Sequence, residues 1–167
     1  MTNTEKATEK NPSGIKQFLI SMVIPLAVGG ISGFITRGAG QIYESLNLPA
    51  FAPPPVVFPI VWTILFGLMG ISSYLVYIKE NHVSEKKAAA ILYFTQLAFN
   101  FVWPILFFKG QFYLVSFIWL VILALLVAAM IFAFARISRP AAWLQVPYLL
   151  WLIFAGILNY SVYLLNF

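Results

Sequence analysis

Five long stretches of this chain carry no charged residue: Phe18 to Ile35, Val56 to Ile78, Ala88 to Phe108, Phe112 to Ala135 and Ala141 to Phe167. A hydrocarbon core about 30 Å thick takes roughly 20 apolar helical residues to cross, so each stretch is a candidate span. The runs are continuous and about twice the length that a tilted barrel strand requires. A helix also satisfies its own backbone hydrogen bonds in lipid, which an open strand cannot do. The fold class that follows is an all-α membrane protein, a five-transmembrane-helix bundle, with helices near 17–36, 56–78, 87–108, 112–135 and 141–165 forming one membrane domain over 17–167. Residues 1–16, polar and containing Asn11-Pro12-Ser13-Gly14, read as a tail. The first run resembles a signal peptide in having lysines before it, but no A-x-A cleavage pattern follows, so it is taken as an uncleaved span. Composition agrees, because 62% of the 167 residues are hydrophobic and 9% charged, against about 45–50% and about 25% in soluble chains.

Charge orients the bundle. Lys6, Lys10, Lys16, Lys79, Lys86, Lys87, Arg136 and Arg139 fall on one side, and Arg37 and Lys109 on the other. The positive-inside rule then predicts a cytoplasmic amino terminus and an outside carboxyl terminus, most simply in a bacterial cell membrane. The basic residues form no stripe, so the net charge of +5 is no argument for nucleic acid. The chain has no cysteine, which removes disulfides and thiol chemistry. It has no aspartate, and the runs contain no Lys, Arg, His or Glu, which disfavours proton relays and ion-coupled carriers. The lone histidine, His82, reads as a solvated loop residue, and no metal-binding constellation is present.

The connections after the second, third and fourth runs are short and make neighbouring helices antiparallel. The first differs: Arg37 to Pro55 is 19 residues and ends Pro49-Ala50-Phe51-Ala52-Pro53-Pro54-Pro55. Connections of that length are usually functional or disordered, and Tyr43, Phe51 and the prolines favour an ordered lid. Aromatic residues recur at helical spacing in three runs: Phe58, Trp62, Phe66 and Met69; Gln96, Asn100, Trp103 and Phe107; Tyr148, Trp151, Ala155, Leu158 and Val162. Three such faces suit a greasy pocket whose polar anchors are Asn100 and the tryptophan N–H groups, with the helix breaker Pro104 beside it. They equally suit packing and interfacial belts, and Asn100 equally suits helix–helix glue. Gly29 and Gly33 form a G-x-x-x-G spacing that permits close helix contact.

Four ordered segments are specific enough to carry a resemblance: Tyr43-x-x-Leu46-x-x-Pro49-x-x-x-Pro53-Pro54; the run Phe58-Pro59-Ile60-Val61-Trp62 through Gly70; Gln96 through Phe108 with Asn100, Trp103 and Pro104; and Pro147-Tyr148-Leu149-Leu150-Trp151 through Tyr160. From about Ile15 onward the chain resembles the translocator protein family, also called tryptophan-rich sensory protein or peripheral-type benzodiazepine receptor. The resemblance implies a five-helix bundle, commonly a homodimer among membrane lipids. It also implies a pocket beneath the first loop that takes porphyrins (protoporphyrin IX or heme) and isoquinoline- or benzodiazepine-like molecules, with no required cofactor. Carried over residue by residue, it places Tyr43, Phe58, Trp62, Phe66, Asn100, Trp103, Pro104, Trp151, Ala155 and Leu158 at the ligand. It further gives Trp62 and Trp151 a role in light- and oxygen-dependent protoporphyrin breakdown. Sensing or transport in tetrapyrrole homeostasis, that breakdown, and lipid or sterol translocation all stay open. Phe51 stands where the family usually has Trp, which removes an indole N–H from the loop. No basic residue closes the Leu158-x-Tyr160 segment, so the cholesterol motif of animal members is incomplete.

Overall fold

The computed structural model describes residues 12–79 and 83–167. Among them are five helices long and apolar enough to cross a membrane and no strand. In chain order they are α1 (Pro12–Ile35), a short α2 (Ala39–Glu44) in the first loop, α3 (Val57–Tyr77), α4 (Val83–Pro104), α5 (Tyr113–Ile137) and α6 (Arg139–Asn166). A single π-helical turn, Ile105–Lys109, extends α4. It is closed by the Gly110 N–H donating to the Ile105 carbonyl at 2.9 Å, the wider ring that defines such a turn. His82 and residues 1–11 lie outside the described residues.

Two helix starts differ from the sequence reading. Within the described residues α1 is already helical at Pro12, inside the stretch read as tail, and α4 is already helical at Val83, before Lys86 and Lys87. Charge marks where a helix leaves hydrocarbon, whereas backbone hydrogen bonding continues into the polar zone.

The helices form a closed ring: α1 packs on α3, α3 on α6, α6 on α5, α5 on α4, and α4 returns to α1. The α5–α6 contact is the most extensive, and its cause is legible in the residues. On α5 the buried positions are Ser116, Leu120, Leu123, Val127, Met130, Phe134 and Ile137. On α6 they include Ala141, Gln145, Tyr148, Leu152, Ala155, Asn159 and Val162. Both series alternate steps of four and three, the spacing of an antiparallel seam in which side chains interlock. Opposite faces, such as Leu125, Phe132, Leu150 and Ile157, are exposed and apolar, as lipid-facing surface must be.

Lipid supplies no hydrophobic drive between helices, so close packing and hydrogen bonds hold them. At Gly70 the backbones of α3 and α1 meet so closely that an added Cβ would lie 2.9 Å from Met22 Cα and 3.0 Å from the Ser21 carbonyl oxygen. Ser72 Oγ of α3 donates to the Ala141 carbonyl at 2.7 Å. Trp119 Nε1 of α5 donates to the Phe99 carbonyl of α4 at 2.8 Å, with its ring stacked on Phe99 at 4.2 Å. By contrast α3 and α4, although consecutive, touch only lightly. Space remains on that side of the ring.

Candidate functional site: a cavity beneath the first loop

A cavity of about 640 Å³ occupies that space. α3 contributes Phe58, Trp62 and Phe66 to its wall, α4 contributes Asn100, Trp103 and Pro104, and the π-helical turn adds Phe108. α1 forms the facing side with Leu26, Gly29, Gly30, Ser32, Gly33 and Thr36. Tyr43 of α2 and Pro55 close the loop end. The rings on α3 and α4 share one surface: Trp62 lies 5.6 Å from Phe66 and 6.5 Å from Trp103, centroid to centroid, with Tyr148 of α6 behind it at 6.0 Å.

The loop is an ordered lid. Gly38 turns the chain from α1 into α2 with φ of 89°, a left-handed conformation that costs glycine little. Tyr43 is buried, packs edge-on against Phe58 at 5.1 Å and donates its hydroxyl to the Pro53 carbonyl at 3.1 Å. Burial raises its pKa above the ordinary tyrosine value. Further along, Asn47 N–H donates to Asn166 Oδ1 at 3.0 Å, and Asn166 Nδ2 donates back to the Asn47 carbonyl at 3.0 Å. This reciprocal pair ties the lid to the end of α6. Phe51 adds an edge contact to Phe154 at 6.3 Å, so the loop keeps an aromatic anchor on α6 without an indole.

The hydroxyl protons around the cavity are already committed. Thr36 Oγ1 donates to the Ser32 carbonyl, Ser32 Oγ to Phe101, and Thr63 Oγ1 to Pro59. The Trp103 N–H, expected from sequence to anchor a ligand, turns away from the cavity to Asn159 Oδ1 at 3.2 Å. Asn159 in turn donates to the Tyr113 carbonyl at 2.8 Å, so that indole serves helix packing. Asn100 gives its Nδ2 to the Tyr148 hydroxyl at 2.7 Å, which leaves Oδ1 as its unused group. Trp62 Nε1 has no partner among the described residues. The wall is therefore aromatic and apolar, with its hydroxyl protons and the Trp103 N–H spent on protein partners and the Asn100 Oδ1 left unused.

Seven of the ten residues singled out in the sequence line this cavity: Tyr43, Phe58, Trp62, Phe66, Asn100, Trp103 and Pro104. Trp151, Ala155 and Leu158 do not. Ala155 and Leu158 are buried within the helix packing. Trp151 stands one ring behind the wall, 6.0 Å from Phe58 and 5.3 Å from Phe154, with its Nε1 buried and unpartnered. Trp151 is held behind Phe58 of α3, and Ala155 and Leu158 are spent on packing between helices, so none of the three reaches the cavity surface. The α1 residues were missed, because glycine, serine and threonine carry no aromatic signal. Of the G-x-x-x-G pair, Gly29 does make a close contact, since an added Cβ would collide with the Phe66 ring. Gly33 faces open space in the cavity wall.

Residues 21–165 match the model of the TspO/MBR family. The chain belongs to that family. It is 38% identical over 142 residues to the tryptophan-rich protein TspO of Chlorobaculum tepidum, covering 84% of this chain and 90% of that protein. To the human translocator protein it is 37% identical over 133 residues, 79% of each chain. To the tryptophan-rich sensory protein of Cereibacter sphaeroides it is 35% identical over 124 residues, 74% of this chain and 76% of the other. Membership in this family and five spanning helices make it an integral multi-pass membrane protein. The names of these relatives point to translocation and sensing.

Proposed function

We propose that the protein binds porphyrins or similarly flat, mostly apolar molecules in the cavity beneath its first loop, and acts through that binding as a sensor or in transport. The observation that carries this reading is the wall itself: Trp62, Phe66 and Trp103 on one side, glycine-rich α1 on the other, and Asn100 as the amide in the lining. A volume of about 640 Å³ falls within the range of about 300–1,000 Å³ that small-molecule sites occupy. The face of a tryptophan is suited to stacking on a conjugated ring. Isoquinoline- and benzodiazepine-like molecules fit the same description. The proposal includes a homodimer and a cytoplasmic amino terminus. Helix alternation supports the orientation, since it brings Lys16, Lys79, Lys86, Lys87, Arg136 and Arg139 to one end and Arg37 and Lys109 to the other.

A second reading, light- and oxygen-dependent breakdown of bound protoporphyrin, is favoured by the placement of Trp62 on the wall, where its ring would touch the ligand. Trp151 would act from behind Phe58 in that case, as a neighbour and not a contact. The test is titration with protoporphyrin in the dark, followed by illumination in air, for the native chain and for Trp62→Phe and Trp151→Phe. Saturable quenching of tryptophan fluorescence supports the binding reading, and its absence refutes it. Loss of the porphyrin band that depends on Trp62 would add the chemistry. Equal loss in the native chain and both variants would remove the tryptophans from it.

A further inference from the structure

Asn100, Tyr148 and Gln96 form a hydrogen-bonded chain between α4 and α6. Asn100 Nδ2 donates to the Tyr148 hydroxyl at 2.7 Å, and that hydroxyl donates to Gln96 Oε1 at 2.9 Å. Only Asn100 reaches the cavity, while Tyr148 and Gln96 are wholly buried, each at 0% exposure. No second bond fixes either amide. Asn100 Oδ1 has no partner among the described residues, and Gln96 Nε2 is buried without one. Gln145, one turn before Tyr148 on α6, is also fully buried with both amide atoms unpartnered, so it does not hold Gln96 in place.

A tyrosine hydroxyl has one proton to give and also accepts, and an amide carries a donor and an acceptor side by side. If both amides turn over, the same three side chains keep both bonds. Gln96 Nε2 then donates to Tyr148, and Tyr148 donates to Asn100 Oδ1. In one arrangement Asn100 offers the cavity a carbonyl oxygen, and in the other an N–H. Both arrangements keep two bonds and differ in which atom of each amide is left unpartnered, so one bond from Asn100 to a ligand suffices to choose between them.

We propose that Tyr148 and Gln96, neither of which lines the cavity, act as a reversible selector that sets whether Asn100 accepts from or donates to a bound ligand. This rests on the cavity being a ligand site. The selector makes the site indifferent between flat heterocycles that present a ring N–H and those that present a ring lone pair. Both are positioning residues, acting through Asn100.

The experiment compares carbazole, whose ring N–H only donates, with acridine, whose ring nitrogen only accepts, at a pH where acridine is neutral. The native protein is expected to bind both with dissociation constants within about tenfold of each other. Gln96→Met removes the far acceptor, so the Tyr148 hydroxyl has only Asn100 Oδ1 to donate to and the Asn100 N–H turns to the cavity. The carbazole-to-acridine ratio of dissociation constants then rises by about fivefold, the worth of one hydrogen bond. In a Tyr148→Phe background the same Gln96→Met change leaves the ratio where it was. A merely structural loss weakens both probes alike and does not move the ratio. An unmoved ratio in Gln96→Met, or a shift that persists without the Tyr148 hydroxyl, overturns the selector. If Gln96→Met does not fold, tyrosine labelled with ¹³C at Cζ tests the native chain: the Tyr148 resonance, assigned with Tyr148→Phe, must differ between the two complexes, and identical shifts overturn the proposal. Native protein that binds neither probe refutes the cavity reading and the selector together; binding of both with an unmoved ratio removes the selector alone.

Discussion

The two glycines of α1 that share a helical face are expected to respond oppositely to the same substitution. A glycine inside a helix costs about 1 kcal/mol relative to alanine. At Gly33 an added Cβ meets nothing within 4 Å, so Gly33→Ala should collect that gain in full, stabilising the protein by up to about 1 kcal/mol. For a chain of this size that is roughly 2–4 °C in Tm. At Gly29 the added Cβ collides with the Phe66 ring. Phe66 is 6% exposed and packed 5.6 Å from Trp62, so it cannot withdraw without moving the aromatic wall. Overpacking of this kind costs about 1–3 kcal/mol, which outweighs the helix gain and leaves Gly29→Ala destabilised by up to about 2 kcal/mol. Thermal unfolding of the two variants in one detergent, at a single scan rate, reads the difference. If Gly33→Ala proved as destabilising as Gly29→Ala, α1 would not face a cavity at Gly33 and the reasoning would fail.

Gly70→Ala should cost about 1–3 kcal/mol, because the atoms its Cβ meets include Met22 Cα and the Ser21 carbonyl oxygen; an unchanged Tm would mean that α1 and α3 are not in backbone contact there. Asn166→Ala removes both bonds to Asn47, and hydrogen exchange should quicken at residues 45–55 while the spans keep their protection; uniform protection in the variant would contradict the clamp. The raised Tyr43 pKa means that the folded state holds this proton more tightly than the unfolded one. Its stabilising share is therefore complete below the ordinary value of about 10 and is lost as pH rises through the raised value. Lid protease resistance should hold through the ordinary tyrosine range and fall above it, with that fall absent in Tyr43→Phe.

Hydropathy made the five spans legible, because a segment that must avoid water for a full bilayer leaves a long uncharged run. The walls contributed by α3 and α4 were legible for a related reason: Phe58, Trp62 and Phe66, or Asn100 and Trp103, share a face by helical spacing alone. Spacing does not say which neighbour a face looks toward. The buried stripe of α6 runs through Gln145, Tyr148, Leu152, Ala155 and Asn159, and Trp151 sits behind Phe58, so Trp151, Ala155 and Leu158 pack between helices and do not line the cavity. The commitment of the Trp103 N–H to Asn159 was equally hidden, since 56 residues separate the two in the chain. α1 escaped notice for the opposite reason, because its contribution is space left by small residues. The helical turns over 12–16 and 83–86 were obscured by charge, which reports the membrane boundary and not the end of helical hydrogen bonding.

The central claim, that the cavity beneath the lid is the ligand site, is tested most directly by dark titration of protoporphyrin into the native chain and into Gly33→Phe. The new ring would enter the cavity from a position where the structure has open space, so the variant should fold while its cavity is filled. The account predicts saturable binding to the native protein and its loss in Gly33→Phe at an essentially unchanged Tm. Equal binding by both folded proteins would place the ligand elsewhere and contradict it.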